Sequence, residues 1–127
     1  METKFNALGR HLLLELYDCN NDLLNQTETI EMFLKEAAKL VGATIVDTTF
    51  HHFSPYGVSG VVVIAESHIT IHTWPEYDYA AIDVFTCDDS IPVERIVDYL
   101  VAKFEAGKFE QKLIKRGINS NIKTAFV

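Results

Sequence analysis

The chain has 127 residues, 48% of them hydrophobic, and carries 11 Lys and Arg against 18 Asp and Glu, a formal net charge of -7 at pH 7. This length suits one compact domain with a real core, so we expect residues 1–127 to form a single domain. The acidic balance disfavours general binding to nucleic acid or to an anionic membrane and weakly favours a cationic ligand. Because no run of about 18 apolar residues and no N-terminal signal core are present, we expect a cytoplasmic protein.

The predicted elements combine two helices with six strands. In chain order they are a strand at residues 10–17, a helix from 25–27 to Gly42, four strands at 43–53, 58–65, 68–74 and 79–86, a helix from Ser90 that ends by Gly107, and a strand at 108–114. Each helix has one apolar stripe, with apolar residues at i, i+3, i+4, i+7, i+8 and i+11 counted from Ile30 and again from Val93. Pro92 is tolerated in the first turn of the second helix.

Residues 12–19 align with residues 80–87, a match that indicates an internal duplication or arises by chance. Strand alternation predicts that the side chains facing the helices are Leu12, Leu14, Leu16, Ala80, Ile82 and Val84. It predicts that the side chains on the opposite face are Glu15, Tyr17, Cys19, Asp83, Phe85 and Cys87. Because that second face is mixed in polarity, we expect another copy of the chain to cover part of it. The predicted fold is α+β, a two-layer sandwich of an antiparallel sheet with two helices on one face, which dimerises into an α/β/β/α arrangement.

The cysteines and histidines predict neither a disulfide nor a metal site. Cys19 and Cys87 are too few for a disulfide framework, and an intracellular thiol is normally reduced. His68 and His72 have a spacing found in zinc sites, but their β-branched neighbours predict an extended segment with the imidazoles about 13 Å apart. One zinc ion with ligands about 2 Å away cannot bind both. For each histidine alone, a polar strand residue with satisfied hydrogen bonds is the simpler alternative.

Several well-known catalytic motifs are absent from the sequence. It has no phosphate loop and no dinucleotide fingerprint, and Gly57-Val58-Ser59-Gly60 lacks the surroundings of an α/β-hydrolase serine. The residues between Thr49 and Cys87 carry a different pattern. Its segments are Phe50-His51-His52-Phe53, Pro55-Tyr56-Gly57-Val58-Ser59-Gly60, Glu66-Ser67-His68, Ile71-His72-Thr73-Trp74-Pro75-Glu76 and Asp83-Val84-Phe85-Thr86-Cys87.

This pattern closely resembles the short prokaryotic S-adenosylmethionine decarboxylase proenzymes, and Gly9-Arg10-His11-Leu12 and residues 42–46 fit as well. The resemblance spans about residues 8 to 105. The chain departs from the family at Asp88, where the family often has glycine, and after Gly107, where it matches only loosely.

The resemblance implies that the chain cleaves itself between Glu66 and Ser67. Ser67 Oγ would attack the Glu66 carbonyl in an N-to-O acyl shift, which requires a twisted peptide and a stabilised oxyanion. Removal of the Ser67 Cα proton, by family resemblance the task of His72 with Ser59 assisting, would then expel Glu66 as a carboxylate and leave a dehydroalanine. This tautomerises and hydrolyses to a covalent pyruvoyl group and ammonia. The products would be residues 1–66 (the β chain) and residues 67–127 (the α chain). Because regular alternation puts Ser67 and His72 on opposite strand faces, we predict a bend near residues 65 to 68.

The implied activity is decarboxylation of S-adenosylmethionine, held on the pyruvoyl group as a Schiff base, to supply aminopropyl groups for polyamine (spermidine) biosynthesis. By the same resemblance Cys87 is the proton donor, and its alternative is a small core residue. Phe53 is similar in position to the family's adenine-stacking phenylalanine, and Trp74 lies in the part of the motif that lines the same pocket, where aromatic faces suit the base and the sulfonium. Glu76 can accept hydrogen bonds from the ribose hydroxyls. Packing is the alternative for the two aromatic residues and a solvated turn is the alternative for Glu76. In this family two protomers share each active site, so a homodimer is implied.

The residues leave two alternative functions open. The first keeps the pyruvoyl group but takes ornithine or arginine as substrate, although these amines bring no adenosine to stack on Phe53 or Trp74. The second is a non-enzymatic dimerising or regulatory module whose chain stays intact.

Overall fold

The computed structural model describes residues 7–118. Its elements are β1 (Gly9–Tyr17), a 3-10 helix (Leu23–Asn25), α1 (Thr27–Leu40), β2 (Ile45–His52), β3 (Val58–Ile64), β4 (Ser67–Trp74), a 3-10 helix (Pro75–Tyr77), β5 (Tyr79–Thr86), α2 (Val93–Lys103) and β6 (Lys108–Arg116). The predicted order of strand, helix, four strands, helix and strand is confirmed. None of the helices in this part of the chain is long and apolar enough to span a membrane.

The strands form one six-stranded sheet in the order β2-β3-β4-β5-β1-β6, with antiparallel pairing between neighbours. Helix α1 packs over β2 and β3, helix α2 packs against α1 and β1, and all contribute to one apolar core. The predicted core-facing residues lie in that core: Leu12, Leu14, Leu16, Ala80, Ile82 and Val84. The predicted α+β sandwich with both helices on one face of the sheet is therefore confirmed.

The opposite face of the sheet, here called the open face, is only partly covered within one chain. It carries His11, Glu15, Tyr17, His68, Thr70, His72, Trp74, Tyr79, Asp83 and Phe85. Aromatic rings follow one another along it: Trp74 lies 5.3 Å from Tyr79, and Tyr79 stacks on Tyr17 at 5.4 Å between ring centroids. Burial and the hydrogen bond to Glu15 raise the pKa of Tyr79. An ordered polar and aromatic face of this kind is typical of a surface that meets another sheet.

Two details differ from the prediction. Cys19 was expected on the open face but is buried in the core, because β1 ends at Tyr17 and Asp18 adopts a left-handed backbone with φ 56°. Burial, with the negative charges of Asp78 and Asp18 nearby, raises the pKa of the Cys19 thiol to about 11. Helix α2 starts at Val93 and not at Ser90, because the Asp88 carboxylate accepts hydrogen bonds from the Ser90 backbone N–H (2.9 Å) and hydroxyl (2.6 Å) in a tight turn.

Candidate active site

The predicted bend is a two-residue turn between β3 and β4. Ala65 and Glu66 form this turn, and Ile64 pairs with Ser67 at its base. Ser67 has φ +150°, a backbone conformation that residues with a side chain rarely adopt and that costs about 1–3 kcal/mol. The strained residue, Ser67, directly follows the peptide bond that is proposed to be cleaved.

The turn is held on both sides by hydrogen bonds. On one side the Ala65 N–H donates to the Thr44 carbonyl at 2.8 Å, and the Thr44 N–H donates to the Glu66 side chain at 3.3 Å. On the other side the backbone N–H of Cys87 donates to the Glu66 carbonyl oxygen at 3.1 Å, and the Cys87 thiol lies 3.5 Å from the same oxygen. The carbonyl that Ser67 would attack thus already faces two donors, the arrangement that stabilises an oxyanion.

Cys87 is exposed, whereas Cys19 is buried. The alternative of a small core residue therefore describes Cys19 and does not fit Cys87. The position of Cys87 follows from strand pairing: β5 runs beside β4, with Ser67 opposite Thr86, so the residue after Thr86 meets the turn before Ser67. Glu66, Ser67 and Cys87 together are called the cleavage cluster below.

Ser59 and His72 form a second cluster, which we call the base cluster. They are paired across β3 and β4, and Ser59 Oγ lies 2.8 Å from His72 Nδ1, within hydrogen-bond distance. The ring of His72 lies 6.5 Å from that of Trp74. Ser67 and His72 stand five positions apart on one regular strand, which places their Cα atoms about 16 Å apart. Within one chain, the structure does not bring His72 to Ser67.

The three candidate substrate contacts lie beyond the base cluster and are accessible. Phe53 is 48% exposed and Trp74 is 39% exposed, so packing inside this chain leaves part of each aromatic side chain accessible. Glu76 and Tyr56 line an open cavity of about 530 Å³. Glu76 therefore borders a concave surface of the kind that binds small molecules. A residue that served only in a solvated turn would not need to line a cavity.

The comparisons with known proteins point to one enzyme family. The family model of S-adenosylmethionine decarboxylase matches residues 10–117. The chain belongs to the S-adenosylmethionine decarboxylase family. It is 51% identical over 115 residues to an S-adenosylmethionine decarboxylase proenzyme from Thermodesulfovibrio yellowstonii, covering 91% of this chain and 85% of that protein. It is 58% identical over 94 residues to the proenzyme of Thermosipho melanesiensis, covering 74% of this chain and 72% of that one.

The fold agrees with this assignment. The crystal structure of the adenosylmethionine decarboxylase from Aquifex aeolicus superposes with a TM-score of 0.84 at 34% identity, covering 94% of this chain and 99% of that one. Membership in the S-adenosylmethionine decarboxylase family confirms the decarboxylase expected from the sequence, and the comparisons give the ornithine or arginine alternative no support.

One polar cluster of this decarboxylase was not predicted from the sequence. The Asp83 carboxylate lies 2.5 Å from His11 Nε2 and 3.3 Å from His68 Nε2, and it also accepts a hydrogen bond from Thr70. His68 and Thr70 lie on β4, Asp83 lies on β5 and His11 lies on β1, so the cluster forms only because β5 pairs with both β4 and β1.

This cluster has ligand atoms within 4.8 Å of one another, which is compatible with a metal site. Arg116 argues against a metal ion at this cluster. Its Nη1 lies 2.9 Å from His11 Nδ1, and a guanidinium can only donate a hydrogen bond. His11 Nδ1 therefore accepts, and the proton sits on Nε2, where it is donated to Asp83. A metal ion would need the lone pair of that same Nε2. The arrangement favours a hydrogen-bond network.

Asn25 was also missed as a functional candidate, because its position before α1 indicated only a helix start. Its side-chain oxygen accepts a hydrogen bond from the Gly57 N–H at 2.9 Å and lies 2.9 Å from His52 Nε2, and its amide donates to the Pro55 carbonyl at 3.5 Å. Asn25 thus holds the loop from Phe53 to Gly57. The loop is closed by a hydrogen bond from the Phe53 N–H to the Gly57 carbonyl oxygen at 2.8 Å. No sequence signal connects Asn25 with that loop.

Proposed function

We propose that the chain cleaves itself between Glu66 and Ser67, converts Ser67 into a pyruvoyl group and decarboxylates S-adenosylmethionine to supply aminopropyl groups for polyamine (spermidine) biosynthesis. The observation that carries the proposal is the cleavage cluster, in which the Glu66 carbonyl faces the Cys87 N–H and thiol beside a strained Ser67. A single domain of residues 1–127 would yield a β chain of residues 1–66 and an α chain of residues 67–127. Its cytoplasmic location stays a prediction from the sequence.

The first step fits the groups around the turn. As Ser67 Oγ adds to the Glu66 carbonyl, negative charge develops on the oxygen that the Cys87 N–H already contacts at 3.1 Å. One such donor is typically worth about 10²–10³ in rate. Collapse breaks the C–N bond, frees the Ser67 amine and relieves the unfavourable backbone at Ser67. The result is an ester between Glu66 and the Ser67 side chain, ready for loss of the Cα proton.

That proton loss requires a base, and we assign it to His72 of a second protomer with Ser59 assisting. His72 of the same chain lies about 16 Å along β4 from Ser67, too far for direct proton transfer. A two-fold axis through paired open faces would bring the base cluster of one chain to the cleavage cluster of the other. The proposed assembly is thus a homodimer with an α/β/β/α arrangement and two shared active sites.

Mixed dimers test this sharing. A His72→Ala chain and a Ser67→Ala chain should each fail to form a pyruvoyl group alone, because each homodimer lacks one partner of the reaction. Co-expressed, they should yield heterodimers in which Ser67 of the first chain meets His72 of the second. Mass spectrometry of a tagged His72→Ala chain should then detect residues 67–127 headed by pyruvoyl. Isolated heterodimers without that fragment would contradict sharing.

The remaining residues suit the substrate. When formed, the pyruvoyl carbonyl binds the substrate amine and accepts the electrons released with carbon dioxide. Cys87 then delivers the proton to the product carbon from its place beside residue 67. Phe53 and Trp74 offer exposed aromatic faces for the adenine and the sulfonium, and Glu76 offers a carboxylate to the ribose hydroxyls.

Two measurements on purified protein test the proposal. Intact mass in denaturing solvent should give two fragments that join at Glu66 and Ser67, with the second headed by pyruvoyl. Carbon dioxide release should be fast with S-adenosylmethionine and at background level with ornithine and arginine in parallel assays. A stable single chain of 14.4 kDa would rule out self-cleavage, and release from ornithine or arginine alone would rule out the substrate.

A further inference from the structure

Arg10 connects two parts of the molecule that are distant in sequence. It lies on β1, and its Nη2 donates to the carbonyl oxygens of Asp88 at 3.1 Å and Ile91 at 2.7 Å. Those carbonyls belong to the connection from β5 to α2, which we call the thiol loop (residues 87–92) because Cys87 is its first residue. A single side chain therefore fixes both ends of this loop to the sheet.

Apart from the two contacts of Cys87 with Glu66, the other described bonds of the thiol loop are local in sequence. The Asp88 N–H donates to Thr86 Oγ1 at 3.0 Å, Ser90 donates to the Asp88 carboxylate, and the Ile91 N–H donates to the Asp88 carbonyl at 3.3 Å. These bonds set the shape of the loop. The two bonds from Arg10 tie the loop to β1, beside the Asp88 N–H bond to Thr86 of β5 and the buried side chain of Ile91.

The position of the thiol loop matters because Cys87 serves the proposed reaction twice. Its N–H faces the Glu66 carbonyl during cleavage, and its thiol stands beside the same residue for turnover. Cys87 directly follows Thr86, the last paired residue of β5, so strand pairing holds it from one side and the thiol loop holds it from the other. A displacement of the loop by about 1 Å would lengthen a 3.1 Å hydrogen bond past its useful range.

We propose that Arg10 is a positioning residue that aims the Cys87 N–H and thiol at the Glu66 carbonyl. The inference rests on the proposed self-cleavage and gives a role to the Arg10 of the Gly9-Arg10-His11 segment, which the reaction itself does not use. Arginine suits the task, because its planar guanidinium holds a fixed direction while bridging two carbonyls, whereas a lysine ammonium is a mobile point charge.

The first test follows self-cleavage in freshly synthesised protein. Arg10→Ala should slow the appearance of the two fragments by about tenfold or more, a part of the loss expected for a missing oxyanion donor. Arg10→Lys should fall between this variant and the wild type, since lysine keeps the charge and can reach one carbonyl. Arg95→Ala removes an exposed arginine of α2 and should cleave at the wild-type rate.

The second test does not depend on cleavage. In full-length Ser67→Ala protein, NMR hydrogen exchange should show the Cys87 amide exchanging about tenfold faster or more after Arg10→Ala, because the opened loop breaks its bond to Glu66. The Ile82 amide, in the middle of β5, should be unchanged. Equal acceleration at both amides would mean a general loss of stability, and no acceleration would mean that the loop needs no anchor; either result overturns the inference. If the wild type fails to cleave while Cys87 responds as expected, the proposed function fails and the anchoring role of Arg10 stands.

Discussion

Ser67→Ala protein is expected to remain one uncleaved chain without decarboxylase activity. The substitution removes Oγ, which is both the nucleophile and the leaving oxygen that the later elimination requires. The nearest described hydroxyls are already engaged: Thr86, opposite Ser67 on β5, with the Asp88 backbone, and Ser59 with His72. The loss should be complete and not partial, because both chemical stages require this side chain. Denaturing mass spectrometry and carbon dioxide release measure the two consequences separately.

A hydroxyl far from the turn provides the control. Thr29→Ala removes an exposed hydroxyl in the first turn of α1 that bonds only to Gln26 among the contacts described for it, and it should cleave normally. Cleavage of Ser67→Ala at the same bond would assign the nucleophile to another group and end the role of this serine.

Cys87→Ala is expected to cleave at a near-normal rate and then to turn over substrate about 10²–10⁴-fold more slowly, the usual effect of losing a general acid. The two outcomes separate because cleavage uses mainly the backbone N–H of Cys87, at 3.1 Å from the Glu66 oxygen, and alanine keeps that N–H. Turnover uses the thiol proton, which alanine lacks. Single-turnover product analysis of the cleaved variant measures the protonation step.

Cys19→Ala is the matched control for this loss of a thiol. It removes the other sulfur from a buried site, so it should lower the free energy of unfolding by about 1–2 kcal/mol and leave turnover unchanged. Full turnover by Cys87→Ala would exclude the thiol from the mechanism. Failure of that variant to cleave would show that the thiol, and not the N–H alone, stabilises the oxyanion.

The fold was predictable because its signals are local. Two apolar stripes with helical spacing and alternating strands define the elements, and the six core-facing residues of β1 and β5 follow from alternation alone. The errors also have local causes. A left-handed Asp18 turned Cys19 inward, and the Asp88 turn delayed α2 by three residues, from Ser90 to Val93. Single-residue backbone conformations of this kind leave little trace in hydrophobic periodicity.

The candidate site was predictable as a set of residues but not as an arrangement. The motif names Ser67, His72 and Cys87, yet which of them meet depends on the register of β4 with β3 and β5. Arg10, Asn25 and His11 act on loops or strands tens of residues away, so their contacts arise only when the sheet is assembled. The distance between Ser67 and His72, in contrast, could be calculated from the sequence, because the two residues lie five positions apart on one regular strand.

The sheet order has a consequence for the molecule after the proposed cut. Residues 1–66 supply β1, β2 and β3, and the downstream piece supplies β4, β5 and β6. Since β1 is inserted between β5 and β6, each piece carries strands that complete the ladder of the other. Breaking one bond in the chain therefore leaves the two pieces interlocked, and neither can depart without dismantling the core. The nicked protein keeps a fixed one-to-one stoichiometry for its lifetime, and the only freedom gained is that of the new chain ends.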